Sequence, residues 1–106
     1  MADAVVSQYT RSDGTVVVQL RGELVLGTEE GLKSLLVDIA TQVRPPSIVI
    51  DMVKLTFVDS TGIGALAAGY NAAIANQVGF LVRDLAPAVE KQLRTAGLYR
   101  HFTGGA

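Results

Sequence analysis

Apolar positions along the chain switch between a spacing of two residues and one near 3.6, which divides it into short strands and amphipathic helices. Val5 to Tyr9 and Thr15 to Arg21 read as two strands, and Asp13-Gly14 supplies the turn residues of a hairpin between them. After Gly22 and Gly27, Thr28 is placed to cap a helix opening on Glu29 and Glu30, acidic residues that suit the positive end of a helix dipole. Leu32, Leu35, Leu36, Ile39 and Val43 follow at helical spacing, and Pro45-Pro46 stops the helix. Ser47 to Met52 is β-branched and apolar over a strand's length, as a buried strand requires, and Lys54 to Val58 reads as a connector carrying Leu55, Phe57 and Val58 inward. The pattern then predicts a helix over Thr61 to Asn76, with Ile63, Leu66, Ala67, Tyr70 and Ile74 on its core stripe, and a strand over Phe80 to Arg83. A third helix starts at Pro87, buries Val89, Leu93 and Ala96, and ends at Gly97. A last short strand is expected at Arg100 to Phe102.

The order ββαβαβα is that of an α/β domain: a mixed, largely parallel sheet with an N-terminal hairpin and helices mainly on one face. At 106 residues the chain has room for one such domain, taken as residues 1–106, and no repeat or linker divides it. Composition agrees, with 49% hydrophobic and 18% charged residues. Nine Lys and Arg against ten Asp and Glu, with no basic run, exclude the electrostatic footprint of a nucleic-acid binder. The absence of cysteine removes disulfides, thiol catalysis and thiolate metal sites. No signal-peptide pattern opens the chain, so the expected compartment is the cytoplasm. Ser60 to Val82 carries no charge, which raises a membrane span. Its four glycines, its amides and the break at Gln77 to Gly79 favour a helix followed by a strand instead.

Chemistry concentrates in Asp59-Ser60-Thr61-Gly62-Ile63-Gly64-Ala65-Leu66, between the buried strand with its connector and the second helix. A serine at a helix N-terminus lies where free N–H groups and the dipole favour an anion, so this place can hold a phosphate. Phosphorylation adds roughly 1.5 to 2 negative charges, and beside Asp59 it would create a concentrated acidic spot that expels a partner fitted to the unmodified surface. Opposite the expected core stripe lie Gly64, Ala65, Ala68, Gly69, Ala72 and Ala75, where an ordinary exposed helix would show Lys and Glu. That face suits close approach by a partner; the plain alternative is packing of the helix within its own fold, with Ser60 a simple cap.

Asp59-Ser60-Thr61-Gly62-Ile63-Gly64 resembles the Asp-Ser-Ser/Thr-Gly-Leu/Ile-Gly signature of STAS domains, specifically the bacterial anti-sigma factor antagonists. Leu20-Arg21-Gly22-Glu23-Leu24 is similar to that family's strand ending in Gly-Glu-Leu. Ile48 to Met52 and Phe57-Val58-Asp59 resemble its central strand and connector, and Pro87 to Val89 with Ala96-Gly97-Leu98 its third helix. The resemblance implies a regulatory protein with no catalytic residues, cofactor or metal. Its unphosphorylated form would hold an anti-sigma factor that is also a serine kinase of the histidine-kinase-like ATPase type, releasing the sigma factor in partner switching such as that of stress response and sporulation. Phosphorylation of Ser60 would end the interaction, and a phosphatase would reset it. Thr61 is the weaker candidate acceptor. Asp59, Thr61, Gly62, Gly64, Ala65 and Ala68 are the expected partner-binding residues, with Gly62 and Gly64 allowing close backbone approach. Two departures stand out: Val25 occupies a position where the family usually has aspartate, and the chain stops at Ala106, short of a usual last strand and helix. The second leaves an edge for strand pairing and hence a homodimer as an open expectation.

Within the same fold, the alternatives are a non-switching scaffold or a partner subunit of a lipid-transport ATPase. A nucleotide-binding module is a weaker alternative, resting on Gly62-Ile63-Gly64-Ala65-Leu66-Ala67 and Asp84, because Asp59 to Thr61 separate the glycines from their strand. A hydrolase lacks a general base, since the one histidine, His101, lies in the C-terminal tail. Asp51, Asp59 and Asp84 show no spacing that would make a carboxylate cluster.

Overall fold

The computed structural model describes residues 5–104. Its elements are β1 (Val5–Thr10), β2 (Val16–Leu24), α1 (Glu29–Asp38) continued by a π-helical turn (Ile39–Val43), β3 (Ser47–Val58), α2 (Ser60–Ala75), β4 (Gly79–Arg83), α3 (Pro87–Thr95) and α4 (Tyr99–Thr103). The strands form one sheet in the order β1-β2-β3-β4, antiparallel between β1 and β2 and parallel elsewhere. This is the expected α/β architecture. The hairpin turns where Asp13-Gly14 placed it: Gly14 has φ of 91°, and the Thr15 N–H donates to Asp13 Oδ1 at 2.9 Å.

One face of the sheet carries the core. Val16, Val18 and Leu20 of β2, Ile48, Ile50 and Met52 of β3 and Val82 of β4 join Leu32, Leu36, Ile39, Leu66, Val89, Leu93 and Phe102 from the helices in one buried cluster. The alternate residues face the other side, where Ser7, Tyr9, Gln19 and Leu81 are exposed.

The connector expected over Lys54 to Val58 is strand. β3 pairs with β2 all the way to Val58, but with register shifts: Gln19 and Arg21 oppose Asp51 and Lys54, and Gly22 and Glu23 oppose Leu55 and Phe57. Each shift places an extra residue on β3, a bulge that breaks the alternation of faces. Met52, Leu55 and Val58 therefore all point inward, whereas Phe57, expected inside, is 40% exposed.

Other expectations are corrected by packing. The short strand at Arg100 to Phe102 is instead the helix α4, which buries Phe102 beside Tyr70 and Phe80, with ring centroids 5.6 and 5.7 Å away. Val43 lies on the last π-helical turn, rotated out of the α-helical stripe, and Ala96 is the exposed C-cap of α3. Gly97 takes φ of 75° and closes α3 as expected, with hydrogen bonds from Gly97 to Arg94 and from Leu98 to Leu93.

The core stripe of α2 is rotated by one residue, about 100°, from the expected one. Gly62, Ala65, Leu66, Gly69 and Ala73 are buried, while Ile74 is 56% exposed. The cause is close packing: a Cβ on Gly69 would stand 2.6 Å from Leu36 Cδ1 and 2.8 Å from Leu36 Cβ, so α1 and α2 approach over bare backbone. Small residues mark the contact face here, and the larger apolar ones flank it.

Candidate functional site

The turn from β3 into α2 is built on Asp59. Its backbone is extended, with φ of −102° and ψ of −174°, and it is the N-cap of α2. Oδ1 accepts the Gly62 N–H at 3.0 Å and the Thr61 hydroxyl at 2.6 Å, and Oδ2 accepts the Leu26 N–H at 3.1 Å. The Asp59 N–H in turn donates to the Leu24 carbonyl at 3.2 Å. One side chain thus caps α2 and ties it to the loop after β2. The Thr61 hydroxyl and the Gly62 and Leu26 N–H groups stabilise the carboxylate and hold its pKa below the ordinary 3.8.

That loop is closed by Thr28. Its hydroxyl donates to the Val25 carbonyl at 2.7 Å and accepts the Val25 N–H at 2.9 Å, so Thr28 secures the turn and does not cap α1 through its side chain, contrary to expectation. Gly27, with φ of 98°, sends its N–H to Glu29. At Val25 the loop is held by Thr28 and, through Leu26, by Asp59.

Ser60 occupies the first position of α2 and is exposed. Thr61 is half-buried, with its hydroxyl committed to Asp59. Of the other residues expected to meet a partner, Gly64 is exposed and Ala68 and Asp59 are half-buried. Gly62 and Ala65 are corrected: both are buried. A Cβ on Gly62 would collide with the Leu24 carbonyl and lie 2.7 Å from Val58 Cγ2, so the close backbone approach that this glycine permits is internal. A Cβ on Gly64 would meet nothing within 4 Å, and this glycine leaves the outer face of α2 flat.

Two exposed apolar side chains lie on the segments that meet at Asp59, and neither is among the residues expected at the site from the sequence. Leu26, 74% exposed, sits on the loop held by Asp59, and Phe57 emerges at the end of β3. An apolar residue beside Gly27 in a turn is a visible signal for the first; the second depends on the β3 bulge and has none.

The remaining polar residues do not extend the site. Asp51 lies on the open sheet face, accepts the Val53 N–H at 3.1 Å and pairs with Arg83 at 3.7 Å; Arg83 also faces Asp84 at 3.6 Å. His101 lies on α4 with its ring 6.0 Å from that of Tyr70. Gly62 and Gly64 stand inside α2, and the Gly62 N–H is taken by Asp59, so the glycine pair forms no phosphate-cradling turn. Among the described residues no group of three or more His, Asp or Glu side chains could hold a metal ion, and no helix is long and apolar enough to cross a membrane.

The fold is shared with anti-sigma factor antagonists. One from Mycobacterium paratuberculosis superimposes with a TM-score of 0.78 at 27% identity, covering 94% of this chain and 83% of its own. The phosphorylated form of the Bacillus cell fate determinant SpoIIAA gives 0.72 at 21%, covering 93% and 88%. A sulfate transporter family protein from Wolinella succinogenes also gives 0.72, at 18%, covering 88% and 73%. The STAS domain family model matches residues 7–105, nearly the whole chain, and the protein belongs to the STAS domain family.

Proposed function

We propose that this STAS domain is an anti-sigma factor antagonist that binds an anti-sigma factor serine kinase through the outer face of α2 and the loop after β2, and that phosphorylation of Ser60 ends the interaction. The observation that carries this reading is the state of the hydroxyls at the start of α2: Ser60 is exposed at its first position, whereas Thr61 is bonded to Asp59. From Ser60 to Ala75 the helix has no charged residue, so a phosphate would bring roughly 1.5 to 2 negative charges to a helix that carries none. The N-terminus of α2 accommodates that charge within the chain. The cost falls on the complex, where an apolar partner surface seated on Leu26, Phe57, Gly64 and Ala68 would meet an unpaired dianion. A phosphatase acting on phospho-Ser60 restores the binding surface. The protein itself performs no catalytic step in this scheme, and its place is the cytoplasm, where the sigma factor acts.

Intact-mass spectrometry after incubation with ATP and candidate anti-sigma kinases of the same genome tests the reading, with Ser60→Ala in parallel. One added phosphate on the wild type and none on Ser60→Ala is the expected result. Ser60→Asp should weaken anti-sigma binding at least about tenfold, as a desolvated like-charge or unpaired-charge contact does, while Ser60→Ala binds as the wild type does. Equal binding by all three forms, or no phosphate with any kinase, would replace the switch with a constitutive scaffold or a transport-ATPase subunit.

A further inference from the structure

We propose that β1 is a pairing edge for a second copy of this chain, two protomers joining antiparallel through it into one continuous eight-stranded sheet. Among the described residues, β1 and β4 are the two outer strands of the sheet. β4 ends in Arg83 and has α4 packed beside it, with Phe102 against Phe80. β1 is different. Ser7, Gln8, Tyr9 and Thr10 are all exposed, and Val5–Thr10 contains no charge and no proline. It also pairs with β2 without a bulge. Charges, prolines and bulges are the devices that keep an outer strand from recruiting another, and this strand has none of them.

The hairpin register fixes which backbone groups are available. Arg11 donates to the Thr15 carbonyl directly opposite it, and the register continues as Tyr9 with Val17 and Ser7 with Gln19. In an antiparallel ladder, hydrogen-bonded and non-bonded pairs alternate, so the odd residues bond to β2 and the N–H and C=O groups of Val6, Gln8 and Thr10 point away from it. Those three residues are self-complementary. With a twofold axis at Gln8, Val6 of one copy opposes Thr10 of the other, Gln8 opposes Gln8, and every outward group finds a partner. This is the isologous geometry of a closed dimer, so pairing stops at two copies. Ser60, on the helix that follows β3, is separated from this edge by β2, so the proposed phosphorylation site stays free in both copies.

Because pairing follows mass action, sedimentation velocity of the full chain over about 5 to 500 µM reads it directly. The expected wild-type result is a concentration-dependent rise to twice the monomer mass. Gln8→Lys places two like charges at the axis and should raise the dimer dissociation constant at least about tenfold, with partial recovery in high salt. Gln8→Cys provides an independent reading in a chain that has no other thiol. Opposed hydrogen-bonded residues have Cα atoms about 5.5 Å apart, within disulfide reach. Mild oxidation should therefore link Gln8→Cys much faster than Gln92→Cys, an exposed control on α3. A wild type that stays monomeric throughout overturns the proposal. So does a dimer indifferent to Gln8→Lys, or cross-linking no faster at position 8 than at position 92.

Discussion

The two sides of α2 are both lined with small residues, for opposite reasons. On the inner side, Gly62 and Gly69 let the helix reach the Leu24 carbonyl and the Leu36 side chain, contacts that a single methyl group would break. On the outer side, Gly64 meets no such wall and Ala68 is only half-buried, and their smallness leaves that side of the helix flat. Small size is therefore a folding requirement on one side and a feature of the surface on the other. Substitution separates the two.

The largest effect is expected on the inner side. Gly62→Ala should destabilise the protein by about 1 to 3 kcal/mol or more, since the obstruction includes backbone that cannot rotate away, and Gly69→Val should do the same through Leu36. Urea denaturation measures both. A destabilisation of Gly62→Ala no larger than that of Gly64→Ala would erase the distinction between the sides.

Next comes the binding surface. Ala68→Arg and Leu26→Ala should each weaken the anti-sigma complex by about 1 kcal/mol or more, the effect of an obstructed or truncated interface contact. Their melting temperatures should stay close to wild type, because neither side chain belongs to the buried core. Titration calorimetry together with a thermal melt gives both numbers. Loss of folding together with loss of binding would assign these residues to the inner class.

Asp59 joins the two sides, and its effect depends on pH. Its carboxyl is held below 3.8 by Thr61, Gly62 and Leu26, so its contribution to stability is complete above that value and is lost as pH falls through the lower folded-state pKa. Asp59→Ala should lower the melting midpoint at neutral pH by roughly a few degrees, as loss of an N-cap does. The gap to wild type should close below pH 3.8. A gap that persists unchanged in acid would mean that the charge is not what holds the loop.

The smallest effect has the opposite sign. Gly64→Ala, in a helix interior with open space around it, should stabilise the protein by about 0.5 to 1 kcal/mol in the same urea titration.

Much of this organisation is legible in the sequence, where the signal is local. Asp13-Gly14 specifies its turn, Pro87 and Gly97 delimit α3, and Asp59-Ser60-Thr61-Gly62 announces a helix start with a serine at it. The expectations that fail share a non-local cause. Phe57 points outward because of how β3 registers on β2, and Ile74 is exposed because Leu36 of another helix needs the space at Gly69. The segment after Gly97 is helical because Phe102 docks between rings supplied by α2 and β4.

By itself, then, the sequence determined the alternation of strands and helices, the family and the position of Ser60, because turn chemistry, caps and hydrophobic period act over a few neighbouring residues. Only the tertiary structure decided which small residues of α2 face inward, which apolar side chains are exposed on the segments that meet at Asp59, and which strands lie at the edges of the sheet among the described residues. Those depend on the distance between elements far apart in the chain, and hydropathy does not encode that distance where the contact is made by glycine.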